Sequence, residues 1–394
     1  MEDGKIWTKN FVLTTVVGFF SALVFYMSLT TLAVYAILGY GATESVSGMA
    51  ASVFLLGSVF GRAFCGRYLE LMGRRRTVLG GGLGFAAVSS LFLLPLGLPA
   101  FVVLRLVHGL VFGLLQNVLQ TVVIQFIPKK RLGEGLSYFS LNFISAAGIG
   151  PFVALPVVGR FSYGTFFQLL TVLSVIPLVL SFFIDVKEPA FTKEEKKSFR
   201  APFKLSDVVD AGALPMAAMA VFVGACYTSE TTFLEAYARE LGLLGWAGSF
   251  FIVLALVVIA VRPLAGKILD RRGENMVMYP SFLCFIISLV ALSLAGSGPL
   301  LLVSAVFLAL GFGNVLIMGQ TVAVKSVPPH RTAKANATYF CFSDLGYGLG
   351  PILFGLIAAE RGFPAMYLAG ALVMAGTAVL YHLVHGRGAR SQKA

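Results

Sequence analysis

The chain has 394 residues, of which 58% are hydrophobic and only 12% charged, with a formal net charge of +12. Soluble domains carry about 25% charged residues, so this composition excludes an ordinary soluble globular protein. The positive charge invites a nucleic-acid reading, which its distribution along the chain removes.

About 20 apolar residues are needed to cross ~30 Å of hydrocarbon. Six such segments precede the middle of the chain, at about 11–38, 45–69, 77–96, 99–127, 133–158 and 164–185. Six more follow it, at about 211–238, 246–269, 276–296, 299–325, 333–359 and 363–384. The 43 glycines suit close packing between helices in lipid. Met1 to Asn10 is followed by an apolar run too long for the h-region of a cleavable signal. Val186 to Asp210 is the one substantial polar break; Lys193-Glu-Glu-Lys-Lys197 and two prolines mark it as a linker between residues 1–185 and 211–394.

Of the 30 Lys and Arg residues, 24 fall on one side if both termini are placed in the cytoplasm. Only Arg160, Arg239 and Arg361 fall on the other, and Arg62, Arg105 and Arg262 lie within spans. This is the positive-inside pattern, and it turns the basic surface toward anionic lipid headgroups rather than nucleic acid. The cysteines (Cys65, Cys226, Cys284, Cys341) lie singly, without metal-ligand spacing. No metal or cofactor is expected. No nucleophile or phosphate-loop motif is present to suggest an enzyme.

The chain also repeats itself. A shift of 200 positions lays Arg62 on Arg262, Gly66 on Gly266, Glu70 on Asp270 and Gly73 on Gly273. It continues through Gln120/Gln320 to Gly148-Ile-Gly-Pro151 against Gly348-Leu-Gly-Pro351, and a shift of 201 pairs Tyr26-x-Ser-x-Thr-Thr31 with Tyr227-x-Ser-x-Thr-Thr232. The reading is an all-α membrane protein, twelve transmembrane helices in two pseudo-symmetric six-helix bundles.

Two six-helix halves joined by a charged cytoplasmic loop resemble the major facilitator superfamily of secondary transporters. Its loop motif between the second and third helices, G-x-x-x-D-R-x-G-R-[RK], stands here as Gly66-Arg-Tyr-Leu-Glu70-Leu71-Met-Gly73-Arg74-Arg75. The second copy, Gly266-Lys-Ile-Leu-Asp270-Arg271-Arg-Gly273, keeps both the acid and the basic residue. Arg105-Leu-Val-His-Gly109 matches the fourth-helix motif, and Gly148-x-Gly150-Pro151 matches part of the antiporter motif. The resemblance is closest to bacterial drug-efflux-like proton antiporters. It implies gating contacts, Glu70 with Arg74 or Arg75 and Asp270 with Arg271 or Arg272; the bland alternative is static helix-end ion pairs.

Ionisable residues inside a membrane cost several kcal/mol and are functional candidates by default. Here they stand where the repeat fails: Arg105 and His108 face Ala305 and Leu308, Glu230 faces Leu29, Glu235 faces Val34 and Asp344 faces Ile144. Glu230, Arg105, Asp344 and His108 are therefore candidates for coupling or substrate binding, with an Arg105–Glu230 pair plausible at comparable depth. The superfamily's cavity-lining helices add polar candidates: Tyr26, Asn117, Gln120, Tyr227 and Gln320. Interhelical hydrogen bonding explains these equally well.

The expectation is a monomeric secondary transporter of the bacterial cytoplasmic (inner) membrane, in contact with membrane lipids. By alternating access it exports a small organic compound against protons. Two alternatives stay open: proton-coupled uptake of an organic anion clamped by Arg105, and a non-transporting receptor or scaffold.

Overall fold

The computed structural model describes residues 5–42, 44–188 and 209–387. The linker expected at 186–210 lies mostly outside them, as do residues 1–4 and 388–394. Every regular element among the described residues is helical. In lipid this follows from backbone chemistry, because a helix satisfies its own N–H and C=O groups where no water can.

The helices are α1 (Lys9–Tyr40), α2 (Glu44–Met72), α3 (Arg74–Ser90), α4 (Leu98–Val123), α5 (Leu132–Arg160) and α6 (Tyr163–Ser181). After the linker come α7 (Leu214–Glu240), α8 (Leu244–Arg272), α9 (Asn275–Ser293) and α10 (Gly298–Lys325). The final stretch, Thr332–Tyr381, is broken at Gly362 by a φ of 82°, giving α11 (332–361) and α12 (363–381). The twelve helices match the twelve apolar segments to within a few residues. Nine spans among the described residues are long and apolar enough to cross a membrane, the last taking in both α11 and α12. α2 and α7 are not among the nine; in α7 Tyr227-Thr-Ser-Glu230-Thr-Thr232 dilutes the apolar run.

Short breaks between helices are set by residues that suit them. Thr8 caps α1 by accepting from the Phe11 amide, and Gly41 closes it in the left-handed region, with φ 64°. Gly73 and Gly273, repeat mates, have φ of 86° and 92°. Only glycine visits such backbone cheaply, so the motif glycines turn α2 into α3 within one residue and α8 into α9 within two.

The chain divides into two compact units. The first holds Met1–Pro128, Phe139–Asp210 and Pro328–Ala337; the second holds Lys129–Tyr138, Ala211–Val327 and Thr338–Ala394. In the first, α4 packs along α2 and α3, while α6 packs on α1 and α3. Its core is aromatic: Phe25 stacks on Phe54 at 5.2 Å and on Phe112 at 4.9 Å, geometries that add to burial alone. In the second, α10 packs against α7, α8 and α9, and Arg262 Nε donates to the Gly313 carbonyl at 2.9 Å.

Candidate functional sites

The second-half loop builds the more connected site, entirely within the second unit. Asp270 lies in the last turn of α8, two residues before its end. Its Oδ1 accepts from the Gly133 amide and its Oδ2 from the Glu134 amide, both at 2.9 Å. These amides belong to the first turn of α5, where helix geometry leaves them without intrahelical partners and with partial positive charge. Lys325, at the end of α10, donates to Oδ1 at 3.3 Å. Glu134 continues the network, held by Arg131 at 2.8 and 2.9 Å and approached by Lys267 at 3.5 Å. The two carboxylates are 4–5% exposed and the three cations 39–44%. The anions are thus fixed inside while the cations stay in water. Gly266 makes the approach possible: a Cβ there would meet the Gly133 carbonyl at 2.5 Å.

The first-half loop uses the same motif differently. Glu70 closes on Arg74 four residues away, through Nη2 at 2.5 Å and Nε at 3.2 Å. The amides of Arg74 and Arg75 instead go to Glu188, each at 2.9 Å, so Glu188 caps α3. Gly66 leaves room for Ala337, whose Cβ would lie 2.5 Å from an added Cβ. Arg331, repeat mate of Arg131, bonds Asp210 at 2.7 Å.

Two expectations are thereby refined. Glu70 meets Arg74, and Arg75 contributes its backbone rather than its guanidinium. Asp270 meets Lys325 and the start of α5, while Arg271 and Arg272 are exposed. Residues one and two positions apart on a helix point away from one another, which is why the neighbouring arginines do not turn back on Asp270.

The ionisable residues within the spans fall into separate places. In the first unit the Arg105 guanidinium lies over the Phe54 ring, 4.6 Å from its centroid, a cation–π contact. His108 stacks on Phe85 at 5.0 Å and reaches Ser89 Oγ through Nε2 at 3.2 Å. In the second unit Glu230 is 0% exposed, and its Oε1 accepts from Ser288 Oγ at 2.8 Å. Arg105 and Glu230 thus belong to different units, each with its own partners. Asp344 is half-buried on α11, and Glu235 is exposed beside Arg239 at 3.1 Å.

The polar candidates are mixed in kind. Asn117 donates to the Ala333 carbonyl at 3.3 Å. Tyr227 stacks flat on Phe312, 3.6 Å away with an interplanar angle of 6°. Tyr26 meets Phe143 edge-on at 5.6 Å. Gln120 and Gln320 are both buried. Among the described residues no cluster of His, Cys, Asp and Glu could hold a metal.

Sequence reasoning missed Glu134, Lys325, Glu188 and Ser288. For two the signal was present: Glu134 faces Lys334 in the repeat and Lys325 faces Gln125, the same kind of failure that singled out Glu230.

A duplicated set of apolar helices with polar loop motifs at one end defines a helical membrane transporter rather than an enzyme. The family model of the Major Facilitator Superfamily matches residues 14–299 and 276–394, and the chain belongs to that superfamily. Multidrug resistance protein MdtG of Enterobacter lignolyticus (strain SCF1) is 25% identical over 390 residues, covering 95% of this chain and 91% of the relative. MdtG of Dickeya zeae (strain Ech586) is 25% identical over 385 residues, covering 93% and 92%. Among solved structures, the human organic anion transporter MFSD10 superposes with a TM-score of 0.75 at 13% identity, covering 94% of this chain and 98% of the other. The proton:xylose symporter XylE gives 0.74 at 14% identity, covering 95% and 96%. At these identities the structures speak for the fold alone.

Proposed function

We propose that this chain is a proton-driven exporter of small amphiphilic compounds, working by alternating access of its two repeated halves. The observation that carries this reading is the Asp270 carboxylate on the first turn of α5. It is a strong, charge-assisted contact, yet polar throughout and flanked by wet cations, so it can release without exposing apolar core. Such a contact serves as a latch. The full-length likeness to proteins named for multidrug resistance supports export and a broad substrate class. Uptake of an organic anion has less support, since Arg105 is engaged with Phe54.

Protons enter through Glu230. A buried carboxyl is costly when charged and inexpensive when neutral, so its protonation state follows its access to water. Both termini and the linker lie in the cytoplasm in this reading, on the 24-to-3 distribution of basic residues. A cysteine placed at Lys196 is then labelled only after permeabilisation; external labelling in intact cells overturns the topology.

The functional test is counterflow of a compound library in proteoliposomes under an imposed pH gradient. At least one amphiphile moves against its own gradient, and Glu230→Gln abolishes that movement while leaving exchange. Gradient-driven transport at the full rate in Glu230→Gln removes Glu230 as proton carrier and passes the role to Asp344.

A further inference from the structure

Ser288 on α9 stands between two oxygens. Its Oγ lies 2.8 Å from Glu230 Oε1 and 2.8 Å from the backbone carbonyl of Ser304 on α10. A serine hydroxyl has one proton to donate, and a carbonyl oxygen has none. If Glu230 were ionised, one of these two contacts would set two acceptors against each other at hydrogen-bond distance. Glu230, Ser288 and Ser304 are all 0% exposed, so bulk water is not at hand to relieve the conflict. The set is satisfied in one way: Ser288 donates to Ser304, and Glu230 carries a proton that it donates to Ser288.

The surroundings agree. Glu230 Oε2 has no hydrogen bond among the described residues, which an acid tolerates far better than a carboxylate. Among the described residues, titratable groups that feel the Glu230 carboxyl include Cys226 and Tyr227 on its own helix and Tyr367 on α12. α9 and α10 present a hydroxyl and a carbonyl. Among the described residues no Lys, Arg or His forms an ion pair with the carboxyl, whose one hydrogen-bond partner is Ser288. In the repeat Glu230 replaces Leu29 and Ser288 replaces Val88, so carboxyl and hydroxyl occur together in one half and are both apolar in the other.

We propose that Ser288 is the positioning residue of the proton site, a hydroxyl rotor that reports and stabilises each charge state of Glu230. When Glu230 holds its proton, Ser288 accepts from it and donates to Ser304. When Glu230 gives that one proton to water in whichever compartment reaches it, Ser288 keeps its own proton and turns it toward Oε1. The ionised carboxylate thereby keeps a donor, and the conflict of acceptors passes to the Ser304 carbonyl, where a neutral oxygen bears it at less cost than a carboxylate does. This rests on the proton-driven reading above and adds to it a second residue with a defined role.

The test uses the full chain in lipid and an isosteric pair of substitutions. Ser288→Thr keeps the hydroxyl; Ser288→Val has the shape of that threonine without the hydroxyl. Infrared difference spectra between acid and alkaline buffer resolve the carbonyl band of a protonated carboxylic acid. That band is absent in Glu230→Gln, displaced in Ser288→Val and restored in Ser288→Thr. Gradient-driven transport falls roughly tenfold in Ser288→Val, the factor expected for one lost hydrogen bond, and stays within about twofold in Ser288→Thr. Thermal unfolding in detergent establishes that each variant is folded; Ser288→Ala replaces Ser288→Val if the latter is not. An undisplaced band in a folded hydroxyl-free variant overturns the role of Ser288. A band that survives Glu230→Gln places the proton elsewhere. Neither result is confused with failure of the proton-driven reading, which appears as gradient-independent transport in the unmodified protein.

Discussion

Asp270 and Glu70 are repeat mates with different partners: Asp270 spans two amides of α5 and a lysine of α10, whereas Glu70 closes on Arg74 within its own loop. The duplicated motif is therefore not mechanically duplicated. One copy ties three helices together, and the other neutralises an arginine four residues away.

Replacing each acid by its amide separates the two. Asp270→Asn keeps one acceptor oxygen but loses the charge and one amide contact. Hydrogen bonds to charged groups contribute about 1.5–3 kcal/mol, and 1.4 kcal/mol is tenfold. Transport in proteoliposomes, at equal reconstituted protein, is expected to fall by an order of magnitude or more. Glu70→Gln leaves the buried Arg74 guanidinium without its carboxylate, a cost that falls on the stability of one loop rather than on a contact among three helices, so at equal folded protein its loss of transport is severalfold smaller. Equal losses deny the asymmetry any mechanical meaning.

Lys325→Gln should cost less than Asp270→Asn. The lysine is 39% exposed, and a pair with a wet cation contributes about 0–1 kcal/mol. The two backbone amides hold Asp270 without it. Transport falls by no more than about fivefold, and the difference from the unmodified protein shrinks as salt is raised. A Lys325→Gln defect as deep as that of Asp270→Asn would make the ion pair, rather than the helix cap, the latch.

Glu188→Ala tests a cap that the sequence pattern did not reveal. The Glu188 carboxylate takes the first two amides of α3, so its removal costs about 1 kcal/mol, the usual cost of a lost N-cap. The thermal midpoint in detergent drops by a few degrees, while Glu188→Asp retains part of the effect. An unchanged midpoint in Glu188→Ala removes the cap from the stability of this loop.

The Glu274–His385 contact supplies a pH-dependent term. Glu274, just before α9, is hydrogen-bonded to His385 at 3.1 Å, and that bond holds its carboxyl below the ordinary value of 4.5. A depressed carboxyl stabilises the fold above its unfolded value and stops doing so as pH falls through its folded one. Acid destabilisation below about pH 4.5 is therefore shallower in Glu274→Gln than in the unmodified protein, read as thermal midpoint against pH. Parallel curves would mean that Glu274 has no part in it.

Helix number and limits were legible because hydrophobic length is a property of contiguous residues, and the 200-residue repeat fixed their order. The partners of the site residues were less so. Glu230 was visible as a charge in an apolar run, but Ser288 is an ordinary serine in an ordinary span, informative only once α9 is known to face α7. Asp270 was visible in its motif. Its true partners, the amides of Gly133 and Glu134, have no side-chain signature, because any residue supplies an amide and only helix geometry leaves it free. Glu188 sits 115 residues after Gly73, and no spacing rule connects them.

His108 and Ser89 offer the sharpest separation of packing from function. They meet at 3.2 Å in the first unit, and their repeat mates are Leu308 and Leu289, both buried in the second. The second half thus shows what an apolar solution at these positions looks like. His108→Leu alone leaves the Ser89 hydroxyl without its ring partner, and an unsatisfied buried group costs about 1–3 kcal/mol. Removing both polar groups together leaves no buried group unsatisfied, and what cost remains is that of fitting the larger leucine at position 89. The double variant His108→Leu with Ser89→Leu is expected to recover most of the thermal midpoint lost by His108→Leu, a positive interaction in a double-mutant cycle. Transport in the double variant at the unmodified rate assigns His108 to packing. A folded double variant that binds but no longer transports makes the histidine part of the coupling machinery.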